Sequence, residues 1–312
     1  MSYWRKEHIE RIAAAIKLNE FVIFFGSGVS ASNPLPVWPD MIQRFVDEWA
    51  KDGKKAPDEI ASMKAFVDSN QLSGLEGLRK ANQRIFDNTF TAIFSPNPDK
   101  YNSTKGGTNL LALGTFGFVT TNYDFCFQKS FREARPGAKL NPFQPSKANA
   151  AALSTLDGAV LYQIHGTAQR GSNSVVLTSS QYEDCYRDGS DVKEFLYEIF
   201  SKYLVVFVGF GFNDQYILRI LERFGPLSRS TSRYTHLGIL GAETDVPQST
   251  LDIYESLWNT EIVTYKIERS RGGVLRHDKL NEALEELKAL LDAEISGPIS
   301  YAPCPSLTTS AP

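Results

Sequence analysis

Four stretches of this sequence carry residue types that do chemistry when a fold brings them together. Gly26-Ser27-Gly28-Val29-Ser30 is a glycine-rich turn ending in a hydroxyl. Glycines at Gly26 and Gly28 permit a tight turn and let main-chain N–H groups approach an anion, and Ser27 and Ser30 add hydroxyl donors. The pattern Gly26-x-Gly28-x-x-Ala31 fits a permissive dinucleotide fingerprint, a weak signal that an ordinary strand-to-loop turn also produces. Thr121-Asn122-Tyr123-Asp124 offers an amide and a carboxylate, Ile164-His165-Gly166 an imidazole, and Gly209-Phe210-Gly211-Phe212-Asn213-Asp214 a second glycine-rich loop. Each has a plainer reading: Asn122 as a turn residue, His165 as a histidine at a strand end, Asp214 as the cap of a following helix, Phe210 and Phe212 as core.

The elements that must position these residues are legible as apolar runs. Phe21 to Phe25 empties into the first turn, Phe116 to Thr120 into Asn122, Val160 to Ile164 into His165, and Tyr203 to Val208 into Gly209. His236 to Leu240 and Ile262 to Ile267 supply two more strand candidates, with a helix around Leu251 to Trp258 between them. Continuous apolar strands alternating with helices indicate a parallel sheet covered on both faces, an α/β Rossmann-like architecture. In such a sheet ligands bind at the carboxyl ends of strands, which predicts that the four polar stretches line one crevice.

Between the first two strands lies far more chain than a crossover needs. Pro39 and Asp40 start a helix with Met41, Ile42, Phe45, Val46 and Trp49 on one face. From Lys51 to about Phe94 the pattern stays helical, with interruptions expected at Gly53, Pro57 and Gly74. This reads as a helical insertion or lid, over about residues 40–110. Ser32-Asn33-Pro34-Leu35-Pro36 cannot extend a long helix straight out of the first turn. A helix from Asp278 to about Ala293, with Leu280, Leu284, Leu287, Leu290 and Leu291 as its stripe, closes a domain of residues 1–295. Residues 296–312, rich in Pro, Ser and Thr, read as a flexible tail or a strap docked on a partner.

Composition narrows the classes. With 312 residues, 42% of them apolar, the chain holds a full core, and disorder and fibre are excluded. A net charge of −3 gives no basic field, so no direct nucleic-acid partner is expected. The basic run Arg269, Arg271, Arg276 and His277 with Gly272-Gly273 reads as a solvated loop. The first residues, charged and with Ile9, Ile12, Ala13 and Ile16 at helical spacing, form an amphipathic helix and not a secretory signal, and no run is long enough for a membrane span. Cys126, Cys185 and Cys304 are far apart and include no C-x-x-C, so neither a disulfide framework nor a zinc site is indicated, and a cytoplasmic setting is expected.

Taken in order, Gly26-Ser27-Gly28-Val29-Ser30 with Leu35-Pro36-Val37-Trp38, Thr121-Asn122-Tyr123-Asp124, Ile164-His165-Gly166 and Val208-Gly209-Phe210-Gly211-Phe212-Asn213-Asp214 resemble the motifs of the sirtuin-like (silent information regulator two) family, over about Phe21 to Ile267. Deacylating sirtuins carry a cysteine-bound zinc ribbon soon after the His-Gly motif. Here only Ala168 to Ser174 separates that motif from Val175-Val176-Leu177, with no cysteine, and the arginine expected near Val37-Trp38-Pro39 is missing. With Leu177-Thr178-Ser179-Ser180-Gln181-Tyr182 following, the chain is most similar to the bacterial antiphage-defence branch whose members hydrolyse NAD.

The resemblance implies cleavage of NAD, as substrate and without a metal, to nicotinamide and ADP-ribose. It implies that Asn122 orients the ribose hydroxyls or the attacking water and that His165 acts as base or hydrogen-bond partner. It gives Asp124 to the nicotinamide carboxamide, Gly26, Ser27, Gly28 and Ser30 to the pyrophosphate, and Gly209, Phe210 and Gly211 to its other side and the adenosine. Constitutive NAD loss would kill the host, so a homo-oligomer or a separately encoded activator is expected; the resemblance points to a HerA-like hexameric ATPase or an Argonaute-type protein. Two other readings stand beside it: a zinc-free deacylase or ADP-ribosyltransferase, and a non-catalytic module sensing NAD or ADP-ribose.

Overall fold

The computed structural model describes residues 2–51, 55–225, 232–269 and 275–295. Seven strands form one sheet: β1 (Phe21–Phe25), β2 (Gly117–Thr120), β3 (Leu140–Phe143), β4 (Ala159–Gln163), β5 (Leu204–Val208), β6 (His236–Ala242) and β7 (Thr260–Lys266). A two-residue ribbon, β8 (Glu268–Arg269) with β9 (Leu275–Arg276), stands apart from it. The helix α1 (Lys6–Lys17) precedes β1, and α2 (Trp38–Ala50), α3 (Pro57–Ser69), α4 (Gln71–Ala81), α5 (Gln83–Ile93) and α6 (Lys105–Leu111) lie between β1 and β2. Then follow α7 (Cys126–Ala134), α8 (Ala152–Thr155), α9 (Ser179–Tyr186), α10 (Asp191–Lys202), α11 (Gln215–Leu221), α12 (Gln248–Trp258) and α13 (Asp278–Ile295).

Every pairing within the sheet is parallel, in the order β3-β4-β2-β1-β5-β6-β7. From β1 the chain fills one side with β2, β3 and β4 and then returns to fill the other with β5, β6 and β7. The reversal falls between β1 and β5, the place where open α/β sheets leave a crevice at their carboxyl edge. The four strands that empty into polar stretches, β4, β2, β1 and β5, are consecutive neighbours in the sheet.

Alternate residues of the strands enter two cores. Phe21, Ile23 and Phe25 of β1 pack with Val206 and Val208 of β5 against Ile9 and Ile12 of α1 and Leu280, Leu284 and Leu287 of α13. Val22, Phe24, Val205 and Phe207 face Phe195, Leu196 and Ile199 of α10 and Ile217 and Leu221 of α11. Because both faces are covered, these strands need no polar alternation. Burying a side chain of this size stabilises by roughly 1.5–3 kcal/mol, so the two layers hold the strand ends in fixed register.

The helical insertion makes a third core, with Met41, Phe45 and Trp49 of α2, Leu75 and Leu78 of α4 and Phe86 and Phe90 of α5. Its floor is Tyr123, Phe125 and Cys126 after β2 and Ala168, Val175 and Leu177 after β4. The insertion therefore sits over the carboxyl ends of the strands that bear Asn122 and His165. Pro57 starts α3 as expected of its fixed φ. Gly74 interrupts nothing, contrary to the expectation from sequence: it lies inside α4, where a Cβ would stand 2.7 Å from the Val67 side chain, so it serves close packing. The breaks fall at Asn70 and Asn82, where the backbone leaves helical geometry and the Asn82 side chain accepts from the Ile85 amide. The tail 296–312, with Cys304, and Gly53, Arg271, Gly272 and Gly273 lie outside the described residues.

Candidate active site

At the end of β1 the chain turns into a short 3₁₀ helix, Ser27–Ser30, packed against the loop after β5. The Gly26 amide donates to Val208 O and the Gly28 amide to Gly209 O, each at 3.0 Å. A Cβ on Gly26 would stand 2.6 Å from the Gly209 carbonyl oxygen and one on Gly28 2.8 Å from Gly209 Cα, while Gly209 itself has φ +59°. These glycines thus let two loops touch backbone to backbone across the switch point. Ser27 is left exposed, as are Gly211 and Asn213 on the loop after β5. The Phe210 ring is buried against Phe24, Phe207 and Phe212, so a ligand at this loop meets its backbone.

Ser30 turns inward and joins Asn122 and Asp124. Asn122 Nδ2 donates to Ser30 Oγ at 3.3 Å, and Ser30 Oγ donates to Asp124 Oδ1 at 3.1 Å, which also accepts the Cys126 amide at 2.9 Å. Asn122 is itself held where its backbone N–H donates to Thr120 Oγ1, whose hydroxyl donates to Phe25 O on the neighbouring strand. Burial raises the Asp124 carboxyl above its usual range, against lowering by the Cys126 and Ser30 groups that donate to it.

Thr120 pairs with Gln163, so Asn122 and His165 each lie two residues beyond a paired position on the adjacent strands β2 and β4. The turn after β4 requires Gly166: its φ is +80°, and a Cβ would lie 2.2 Å from Ser174 O. His165 is 2% exposed and burial brings its pKa down to about 3, so the ring is neutral. Its Nε2 lies 2.6 Å from the Tyr186 hydroxyl and 3.7 Å from Asp214 Oδ2. With a neutral ring, the second contact is that of a dipole with a carboxylate and not an ion pair.

Asp214 caps α11 as its position suggested, Oδ1 accepting from Tyr216 and Ile217 amides at 3.0 and 3.2 Å, while Oδ2 accepts the Tyr182 hydroxyl at 3.3 Å. Burial raises its pKa to about 6, although the Ile217 and Tyr216 amides and Tyr182 pull the other way. Tyr182, Tyr186 and Gln163 complete the surroundings, and none of them was a candidate site residue from sequence. Tyr182 and Tyr186 sit one turn apart on α9, a spacing that puts both on one face, but nothing in it says that the face meets His165. Gln163 is buried with no hydrogen-bond partner for Nε2 among the described residues.

Over these groups the insertion is tied down by three polar links: Ser180 donates to Glu76 at 2.7 Å, Arg79 to Asn173, and Ser172 to Asp87. Burial alone would raise the Glu76 pKa, but hydrogen bonds from Thr178, Ser180 and Lys80 bring it to about 2. Two surface depressions, of about 590 and 680 Å³, lie on the outer side of α10 and on the α2 and α5 surface and include none of the strand-end residues. Among the described residues no cluster of His, Cys, Asp and Glu is placed to hold a metal ion, and no helix is long and apolar enough to cross a membrane.

A family profile described as SIR2-like domain matches residues 117–263, the span that contains Asn122, His165 and Asp214. Over that span the chain resembles SIR2-like domains. The chain is similar to "NAD(+) hydrolase ThsA" of Enterococcus faecium, 29% identical over 233 residues, which are 73% of this chain and 45% of the relative. The ThsA of Cytobacillus dafuensis is 25% identical over 72% of this chain and 42% of its own length. "Defense-associated sirtuin 2" of Bacillus subtilis is 22% identical over 72% of this chain and 21% of its own. The chain thus spans less than half the length of these curated relatives. Outside the profile match, β1 belongs to the same sheet, between β2 and β5, and the turn after it carries Ser27 and Ser30.

Proposed function

We propose that this chain hydrolyses NAD+ at the bond between nicotinamide and ribose, releasing nicotinamide and ADP-ribose, as an effector of defence against phage. The observation that carries this reading is the meeting of four polar strand ends on the consecutive strands β4, β2, β1 and β5. The names of the relatives support the substrate and the defence setting.

In this reading the exposed Ser27, with the glycine backbone of the two touching loops, receives the pyrophosphate, and Gly209 and Gly211 with the Phe210 backbone face the adenosine end. Asn122 orients the ribose hydroxyls or the water, through the amide oxygen that the Ser30 contact leaves open. Asp124 serves the nicotinamide carboxamide and, through Ser30, keeps Asn122 in place. Departure of nicotinamide leaves an oxocarbenium-like ribose, and a neutral His165 can accept the proton of the attacking water; help of this kind is worth about 10²- to 10⁴-fold.

Asn122 and His165 are nearly enclosed under a latched insertion, at 8% and 2% exposure. Substrate entry then requires the cover to shift. Assembly with further copies or with a separately encoded activator, such as a HerA-like ATPase or an Argonaute-type sensor, is the control we propose, in the cytoplasm. Incubation of purified protein with NAD+, alone and with the product of a neighbouring gene, tests the reading. Nicotinamide release that falls at least about tenfold in Asn122→Ala and in His165→Ala, with folding retained, is expected. Tight NAD+ binding without release in any assembly state would make it a sensor, and release only with an added acceptor a transferase or deacylase.

A further inference from the structure

The two nitrogens of His165 have unlike surroundings. Its ring meets Tyr182 and Tyr186 edge-on, with centroids 5.1 and 5.8 Å away, and both tyrosines pack on Tyr216. Nε2 faces the Tyr186 hydroxyl and, 3.7 Å off, the carboxylate of Asp214. Among the described residues the ring's one side-chain hydrogen bond is made at Nε2, not at Nδ1. Asp214 cannot turn away from the ring, because Oδ1 is held by two amides at the start of α11 and Oδ2 by Tyr182.

We propose that Asp214 is a positioning residue that fixes the Nε2–H tautomer of His165 and so presents Nδ1 as the lone pair that takes a proton when NAD+ is cleaved. The tautomer follows from the geometry alone, whereas the proton-accepting role rests on the proposed function. A neutral imidazole has one N–H. Directing that N–H dipole at a fixed carboxylate is favourable, and directing the lone pair there is not. The Nε2–H then donates to Tyr186, and Nδ1 is the basic atom. This is how a buried carboxylate orients a histidine base elsewhere in enzymology.

In the reaction, the water oxygen bonds to ribose C1′ as the C1′–N bond breaks, and that electron pair stays on the nicotinamide nitrogen. The proton of the water passes to Nδ1 and from there to solvent. NAD+ and water thus give nicotinamide, ADP-ribose and one proton.

The groups facing Asp214 are His165, Tyr123 after β2, Tyr182, Cys185 and Tyr186 on α9, and Tyr216 on its own helix. Burial raises the tyrosines, pushes Cys185 to about 12 and lowers His165 to about 3, which leaves Asp214, near 6, as the one of these that changes charge around neutrality.

Long-range ¹H–¹⁵N spectra of histidine-labelled protein test the inference, with His165 assigned by difference from His165→Ala. The wild type is expected to show Nε2–H at His165. Asp214→Asn, in which an asparagine still caps the helix, is expected to move it toward Nδ1–H. With NAD+, the same variant is expected to lower kcat at least about tenfold at unchanged KM and to lose the inflection near pH 6. An Nδ1–H wild type, or a tautomer unmoved in Asp214→Asn, overturns the inference whether or not NAD+ is cleaved. A tautomer that moves while kcat does not overturns the role of Nδ1 and leaves the proposed hydrolysis intact. If Asp214→Asn does not fold, titrating the wild type from about pH 8 to about pH 5 decides the matter, since protonating Asp214 must shift the His165 signals with its midpoint; a tautomer constant across that range overturns it.

Discussion

Ser30 shows how a hydroxyl expected from sequence to serve as a donor is already engaged on both sides. It accepts from Asn122 and donates to Asp124, and so couples the two buried groups. Ser30→Ala leaves a buried carboxylate short of a donor and a buried amide short of an acceptor. A loss of about 1–3 kcal/mol in urea unfolding is expected, together with slower NAD+ cleavage. Gly209 is a second case. Its φ is +59° and a Cβ there would stand 2.9 Å from Gly28 Cα, so Gly209→Ala is expected to cost more than about 1 kcal/mol by the same measurement. The glycines were visible in sequence as a turn signal. That Gly26, Gly28 and Gly209 need one another was not, because the constraint joins loops far apart in the chain. Asp214 was legible as a cap for the same local reason, and its approach to His165 was hidden for the same distant one.

At the scale of elements, strands buried on both faces announce themselves as unbroken apolar runs, and β1, β2, β4 and β5 were each marked that way; the more exposed β6 and β7 were read in part, as His236–Leu240 and Ile262–Ile267. β3 was missed. It has four residues, carries Pro142, and lies at the sheet edge partly exposed, which is where a strand tolerates proline and shows little apolar signal. The amphipathic face of α2 was read residue for residue, since Met41, Ile42, Phe45, Val46 and Trp49 are its buried set. What periodicity could not show is the underside of the insertion, where Glu76, Arg79 and Asp87 tie it to the segment after His165. Glu76→Ala removes the charged acceptor for Ser180 and Lys80. Hydrogen exchange is expected to quicken in residues 172–186 while β1 and β5 stay protected, with a cost of about 1.5–3 kcal/mol typical of hydrogen bonds to a charged group. Equal loss of protection in the central strands would show that the insertion is no separate cover.

For the molecule as a whole, the buried histidines set the response to acid. His165 and His236 are held neutral, each at about 3 against 6.5 when unfolded, so their contribution is complete above pH 6.5 and is lost as the pH falls. Asp214, raised to about 6 from 3.8, acts in the opposite sense and regains stability on acidification. Between pH 7 and pH 5 each histidine loses about 2 kcal/mol and the aspartate returns about 1, a net loss of roughly 2–3 kcal/mol. Denaturant midpoints measured at the two pH values check it, and stability that holds or rises on acidification contradicts it. Glu76, near 2, adds to the loss only below about pH 4.5.

The order β4-β2-β1-β5 is the whole-molecule fact on which the functional reading stands, because it turns four separate sequence signals into one crevice. Hydrogen exchange of the His165→Ala protein, which retains substrate, with and without saturating NAD+ reads that crevice directly. Protection concentrated in residues 26–30, 120–126, 164–168 and 208–214 is the result this account predicts. Protection confined to the outer surface of α10, or to α2 and α5 where the open depressions lie, would contradict it.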